Sequence, residues 1–272
     1  MRFMRHDAWS DALFIHYAVD ADALQRRLPA GLVVDTHEGV AYIGVVLLTE
    51  SGIVPQPAGV PLWLVRWLGL SHHAVNVRTY VRPASTEAGP PGIYFFSLEC
   101  SGILPCIGAR LLFNLPYQYA RMTRVRQHTG AMALKSSRAT AEAAIQVEWV
   151  AEGPVLCGTS DNDDQAAPSP VSDLDADAAL GRFFVERYAL YNVPGPLMRL
   201  VMPSGSRLWS GTITHEPWQL RKARLIAYGG LCSSVGVLSA AGLADLVVGG
   251  ASVAHASSGV GPVQFYWHGR AA

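Results

Sequence analysis

The sequence predicts a β-dominated α+β fold, and three observations carry that prediction. Short runs alternate apolar and polar residues with period two, as in Asn76-Val77-Arg78-Thr79-Tyr80-Val81-Arg82, where Val77, Thr79 and Val81 take one face. Proline- and glycine-rich turns such as Pro90-Pro91-Gly92 separate these runs. Helix signals are few, near residues 21–28 and 178–188, and no internal repeat is evident.

In chain order, Trp9 to Val19 alternates loosely and serves as an entry segment. Asp20 can cap a short helix over Ala21–Leu28, closed by Pro29-Ala30-Gly31. Strands follow at Val33–Asp35 and Val40–Leu48, and the second is apolar throughout, as a strand buried on both faces would be. Residues 51–71 form a Pro/Gly loop ending in an apolar knot with Trp63 and Trp67, which suits a lid, an interface or simple packing. The alternating 76–82 run predicts a half-buried strand, followed by Ile93–Glu99 and a short apolar segment ending at Arg110. Leu115–Met122 ends this block, and Arg121–Gln127, Ala131–Ser136 and Ala143–Val150 follow as an antiparallel meander. Clustered aspartates between Asp161 and Asp177 lack the glycine-centred spacing of a calcium loop and predict a solvated loop leading into a helix over Ala178–Tyr188. Arg207–His215 and Pro262–His268 close the set as strands, and Leu220–Leu225, with Lys222, suggests a solvated helix.

Composition narrows the function. Half of the 272 residues are apolar and only 15% are charged, which points to a buried cavity, a subunit interface or both. Zero net charge leaves no electrostatic footprint for nucleic acid. Leu225–Ala244 is uncharged and long enough to span a bilayer, but its glycines and serines favour a buried segment, so no membrane partner is expected. The N-terminus lacks the apolar core of a signal peptide, and a cytoplasmic location is expected. Cys100, Cys106, Cys157 and Cys232 show no C-x-x-C pair and suit free, mostly buried thiols. Adjacent His72 and His73 would face opposite ways on a strand and could not chelate together, so no metal is expected. No phosphate-binding loop and no nucleophile elbow occurs.

What remains is a constellation of arginine, glutamate and tyrosine between residues 76 and 122. Arg78 and Arg110 could clamp a carboxylate or polarise a carbonyl, with Asn76, Tyr80 and Arg121 as further binding groups. Glu99, flanked by aromatics, could shuttle protons, and Tyr117 could donate a hydrogen bond to a developing enolate. Arg78 and Glu99 could equally be a structural cross-strand pair.

Asn76-Val77-Arg78-Thr79-Tyr80-Val81, Gly92–Leu98 and Leu115-Pro116-Tyr117 resemble the YqjF-like family of uncharacterised bacterial proteins, within the acetoacetate-decarboxylase-like superfamily. The wider skeleton is also similar: Trp9, Leu28-Pro29-Ala30-Gly31-Leu32, Arg187-Tyr188 and His215-Glu216-Pro217-Trp218. The resemblance implies one domain over residues 1–272, with antiparallel sheets curved around a barrel-like cavity. Acetoacetate decarboxylase forms a Schiff base on a lysine that follows a proline, and Tyr117 stands at that place here. A phenol cannot replace an amine nucleophile. Relatives carry a glutamate two residues before the asparagine, whereas this chain has Ala74. The expected function is therefore a cofactor-free enzyme acting on a small carbonyl compound or organic acid without an imine. Its chemistry would be of lyase type: decarboxylation, dehydration, aldol reaction or cyclisation through an enolate. The catalytic residues would be Tyr117, Glu99 and Arg78, with Trp63 and Trp67 closing the pocket. A non-catalytic small-molecule binder that keeps the cavity is the alternative, and a homo-oligomer is expected in either case.

Overall fold

In the computed structural model, residues 2–56, 69–85, 89–138, 144–157, 173–194, 208–229 and 236–267 are described. Trp63 and Trp67 lie outside them. Among the described residues, fourteen strands form one hydrogen-bonded sheet that curves and meets itself twice.

The walls of that sheet are set by three long central strands. β1 (Arg2–His6) and β2 (Ala8–Val19) lead into helix α1 (Ala21–Gln25) and then β3 (Leu32–Val34). Asp20 caps α1 by accepting from the amide of Ala23 at 2.7 Å. β4 (Ala41–Pro55), β5 (Leu70–Pro83) and β6 (Gly92–Cys100) then pair antiparallel side by side. Helix α2 (Ile103–Phe113) crosses to the meander β7 (Tyr117–Arg126), β8 (Met132–Arg138) and β9 (Ala144–Cys157). Helix α3 (Asp173–Val185), β10 (Ala189–Asn192), β11 (Trp209–Thr214), β12 (Leu220–Gly229), α4 (Val237–Ala240), β13 (Val253–Val260) and β14 (Val263–Trp267) complete the chain.

Two closed circuits of pairing share β4, β5 and β6. The larger runs β6-β7-β8-β9-β12-β13-β2-β4-β5, and the smaller runs β4-β1-β14-β11-β10-β6-β5. β4 and β5 therefore have an interior on each side, and period two sends alternate residues into each. Ile43, Val45, Leu47, Val75 and Val77 enter the larger ring. Tyr42, Val46, Leu48, Ala74 and Tyr80 pack on the opposite face with Trp209, Ile213, Val263 and Phe265 of the smaller ring. This corrects the half-buried expectation for residues 76–82: up to Val81 the strand is covered on both faces, so Asn76, Arg78 and Tyr80 face a second interior, and only Arg82 is exposed.

The larger ring is filled mostly by apolar side chains, including Leu13, Ile15, Leu134, Val147 and Trp149. Each such burial contributes roughly 1.5–3 kcal/mol. Arg124 crosses this interior from β7 to a bulge in β2, donating to the carbonyls of Ser10 and Asp11 and to Thr49 Oγ1 at 2.5 Å. Asp11 has a positive φ of 51°, so the arginine holds a turn that the chain adopts at some cost.

Other expectations change as well. The apolar segment before Arg110 is an 11-residue helix. Leu220–Leu225 belongs to a strand, where Lys222 pairs with Asp177, and residues 225–229 are mostly exposed rather than buried. Tyr188 follows α3 instead of lying on it. The sheet is not wholly antiparallel, since β6 runs parallel to both β7 and β10. Cys100 and Cys106 form a disulfide that joins the end of β6 to α2, because the tight turn at Ser101-Gly102 folds the helix back on its strand. Of the other two cysteines, Cys157 is free and buried. Among the described residues, no helix is long and apolar enough to cross a membrane.

Candidate functional site

The interior of the smaller ring carries polar groups where an apolar core would be expected. Period two continues from Val46 and Leu48 on β4 to Glu50, which is 6% exposed. His6, at the end of β1, and His72, early in β5, flank its carboxyl: Glu50 Oε2 lies 3.3 Å from His6 Nδ1 and 3.7 Å from His72 Nε2. Burial lowers His6 to a pKa of about 3 and His72 to about 4, and raises Glu50 to about 8. All three are therefore neutral near pH 7, and these contacts are not ion pairs.

Hydrogen bonding points the same way. Trp9 Nε1–H donates to His6 Nδ1 at 2.8 Å, so that nitrogen bears no proton and cannot donate to Glu50. An ionised carboxylate would face a lone pair there. A protonated Glu50 can instead give its O–H to a histidine nitrogen. Among the described residues His72 Nε2 has no hydrogen-bond partner, and it is a ready acceptor.

Tyr117 opens β7 opposite Leu98 of β6, close enough to Glu50 for the two to couple electrostatically. Burial of its hydroxyl, and secondarily Glu50, holds its pKa well above the ordinary phenol value. It is a neutral donor throughout the useful pH range. On the neighbouring β5, Asn76 lies opposite Leu98 and is 7% exposed, and its Oδ1 has no partner.

Further along β5, Arg78 donates to the carbonyl of Phe184 at 3.2 Å and lies over the rings of Phe14 and Tyr80. Among the described residues no carboxylate lies within ion-pairing distance of it, and its Nε has no partner. Tyr80 is fully buried with its hydroxyl 2.6 Å from His16 Nε2. Gly44 makes room for that bond, since a Cβ there would lie 3.2 Å from the Tyr80 hydroxyl and 3.3 Å from the His16 ring. The His215–Trp218 motif closes the wall: His215 packs against Trp9, Tyr188 and Trp218, and feels the charges of Arg78 and Glu186.

The other candidates lie elsewhere. Glu99 stands opposite Val75, on the opposite face of the sheet from Asn76 and Arg78. It accepts from Arg138 Nε at 2.6 Å and Ser136 Oγ at 2.8 Å, and Arg138 also donates to Ser97 and Gln118. Glu99 is thus a saturated partner of Arg138, and Arg78 pairs with neither. Arg110 is exposed on α2, donates to the Tyr117 carbonyl at 3.1 Å and lines a separate cavity. Arg121 lies opposite Ser137 on an exposed outer face, beside Lys135 in a shallow cavity of about 290 Å³.

Sequence reasoning missed Glu50, His6 and Arg138. The signal for Glu50 was a lone carboxylate continuing the alternation of an apolar strand. His6 carried none, because only the pairing of β1 with β4 brings it to Glu50, and Arg138 reaches Glu99 from two strands away, across β7. No group of three or more histidine, cysteine or acidic residues among those described is placed to hold a metal ion.

A model of the DUF2071 family, described as an uncharacterized conserved protein, matches residues 6–261. The uncharacterized protein YqjF of Bacillus subtilis (strain 168) is 29% identical over 231 residues, covering 81% of this chain and 76% of YqjF. Among solved structures, the enduracididine biosynthesis enzyme MppR with HEPES bound aligns with a TM-score of 0.57 at 14% identity, over 98% of this chain and 86% of that one. Acetoacetate decarboxylase from Legionella pneumophila aligns with a TM-score of 0.56 at 12% identity, over the same shares. The fold is therefore acetoacetate-decarboxylase-like.

Proposed function

The chain belongs to the DUF2071 family, and from that premise we propose that it is a cofactor-free enzyme acting on a small organic acid with a carbonyl group, through an enolate. The observation that carries this reading is Glu50, a buried acid with its proton, set beside Tyr117 in the smaller ring. A neutral acid and a neutral phenol, with an arginine further along β5 that has no carboxylate partner among the described residues, suit a substrate that brings its own negative charge. The fold neighbours, acetoacetate decarboxylase and MppR, are enzymes by name, which supports a catalytic role for this interior.

In this mechanism Arg78 holds the substrate carboxylate and Asn76 Oδ1 accepts from a substrate hydroxyl or water. Tyr117 O–H donates to the carbonyl oxygen, where charge accumulates as the bond to the α-carbon breaks. In a decarboxylation, carbon dioxide leaves and Glu50 O–H gives its proton to the resulting carbanion. His72 Nε2, which is free to accept, receives the hydrogen bond of Glu50 between turnovers, while Trp9 fixes His6. No step uses an imine. Lys135 is exposed on β8 and Lys222 is paired with Asp177, and both lie away from this interior.

The test is turnover of small 3-keto acids, and of 2-keto acids with an aldehyde, by wild type and Glu50→Gln. The glutamine keeps shape and neutrality but cannot deliver an acidic proton, so the rate should fall by about a hundredfold or more. The wild-type rate should decline above about pH 8, where Glu50 loses its proton. Full turnover by Glu50→Gln would remove Glu50 from the chemistry. Ligand binding by wild type without turnover of any of these would leave a binding protein.

A further inference from the structure

The second edge of β6 is divided. Parallel β10 pairs with Gly92, Ile93 and Tyr94, and parallel β7 pairs with Leu98, Glu99 and Cys100. No described strand pairs with Phe95, Phe96 or Ser97 on that edge. At this fork, where the two rings part, lies a cavity of about 400 Å³. That volume falls in the range of small-molecule sites.

Its frame is braced by side-chain amides. Asn114, the left-handed cap of α2 with φ 51°, donates to the carbonyl of Val193 at 2.9 Å. Asn192 Nδ2 donates to the carbonyl of Asn114 at 2.9 Å, and Asn192 Oδ1 accepts from the amide of Val193 at 2.8 Å. This clasp ties the end of α2 to the end of β10, so the opening is built into the fold. The cavity is distinct from the polar interior, because Pro116 and Gln118 line it while Tyr117 between them couples to Glu50.

The lining sets the chemistry of a ligand. Among the described residues Arg110 is the one charged side chain there, and only its bond to the Tyr117 carbonyl occupies it. Gln118 Oε1 is taken by Arg138. Tyr94 and Phe96 stand edge to face with centroids 5.1 Å apart, next to Phe95, and offer an aromatic wall. We propose that this fork is a second ligand site, taking a small organic anion with a flat ring, its carboxylate on Arg110 and its ring against Tyr94 and Phe96.

The experiment uses 4-fluorobenzoate, followed by fluorine NMR, with acetate and cyclohexanecarboxylate as comparisons. Wild type should bind the arenecarboxylate more tightly than either. Arg110→Ala should weaken binding about tenfold or more, as expected for loss of a charge-assisted pair. Arg110→Lys should restore part of it, Phe96→Leu should weaken it, and Arg78→Ala should leave it unchanged. Amide shifts of Gln118 and Asn192, rather than those of Glu50 and His6, should move in the full-length wild-type protein, so the result stands even if a variant fails to fold. Absence of binding at millimolar ligand, equal binding of acetate, or a loss in Arg78→Ala matching that in Arg110→Ala would overturn the proposal. None of these outcomes depends on whether the ring interior catalyses a reaction.

Discussion

Tyr117 and Glu50 divide the work of a proton donor at the scale of single residues. Tyr117 has too high a pKa to ionise, so it can stabilise charge but not carry a proton away. Glu50, raised to about 8, can do both. Tyr117→Phe removes one hydroxyl and keeps the packing. Turnover should fall about a hundredfold, the equivalent of ~3 kcal/mol for a hydrogen bond aimed at developing charge. Stability should fall by only about 1 kcal/mol. A melting curve and a rate on one variant decide the matter, and a stable variant with full turnover would exclude Tyr117 from the mechanism.

At the scale of elements, β6 shows how one strand serves two interiors. Glu99 faces the larger ring, where Arg138 is 5% exposed and Glu99 2% at the side chain. Arg138→Met should leave an uncompensated buried carboxylate and cost about 3–5 kcal/mol in urea unfolding. Adding Glu99→Leu should recover most of that loss, and turnover of the double variant should match wild type. Lost turnover in a folded double variant would return Glu99 to the chemistry. The period-two alternation of β5 was legible in the sequence, and so was the burial of β4 on both faces, from its unbroken apolar run. What was not legible is that both faces of β5 and β6 are interiors, so Glu99 and Arg78 read as neighbours although the pleat separates them. Helix α2 was obscured by Pro105 and Gly108 and by Ile103, Leu104, Ile107 and Leu111, which remain exposed instead of forming a buried stripe.

For the molecule as a whole, buried titratable groups set a pH window of stability. His6, His16, His72 and His255 have folded pKa values below that of the unfolded chain, two of them near 4 and His6 near 3. Their contribution is present above pH 6.5 and is lost as pH falls toward those values. Glu50 has the opposite sign: its contribution is present below pH 4.5 and is lost as pH rises toward 8. Between these limits the unfolded chain binds more protons than the native one, so stability from these groups rises up to about pH 7, where the protons left on the unfolded histidines balance the one on Glu50. Above that Glu50 outweighs them, and stability falls shallowly, by roughly half a kcal/mol per unit, toward pH 8. Glu50→Gln should abolish the alkaline decline and leave the acid limb, as read from urea midpoints across pH. The family and the curved β architecture were legible from the 76–82 block and the turns around it. The two ring closures were not, because β1–β14 and β2–β13 join the two ends of the chain and no local pattern encodes that distance.

The central claim is that the smaller ring holds a protonated acid ready for transfer, and a carbon-13 NMR titration of the Glu50 carboxyl, assigned with Glu50→Gln, tests it without knowledge of the substrate. The carboxyl should remain protonated at pH 6 and titrate near 8. A midpoint near 4.5 would contradict the account.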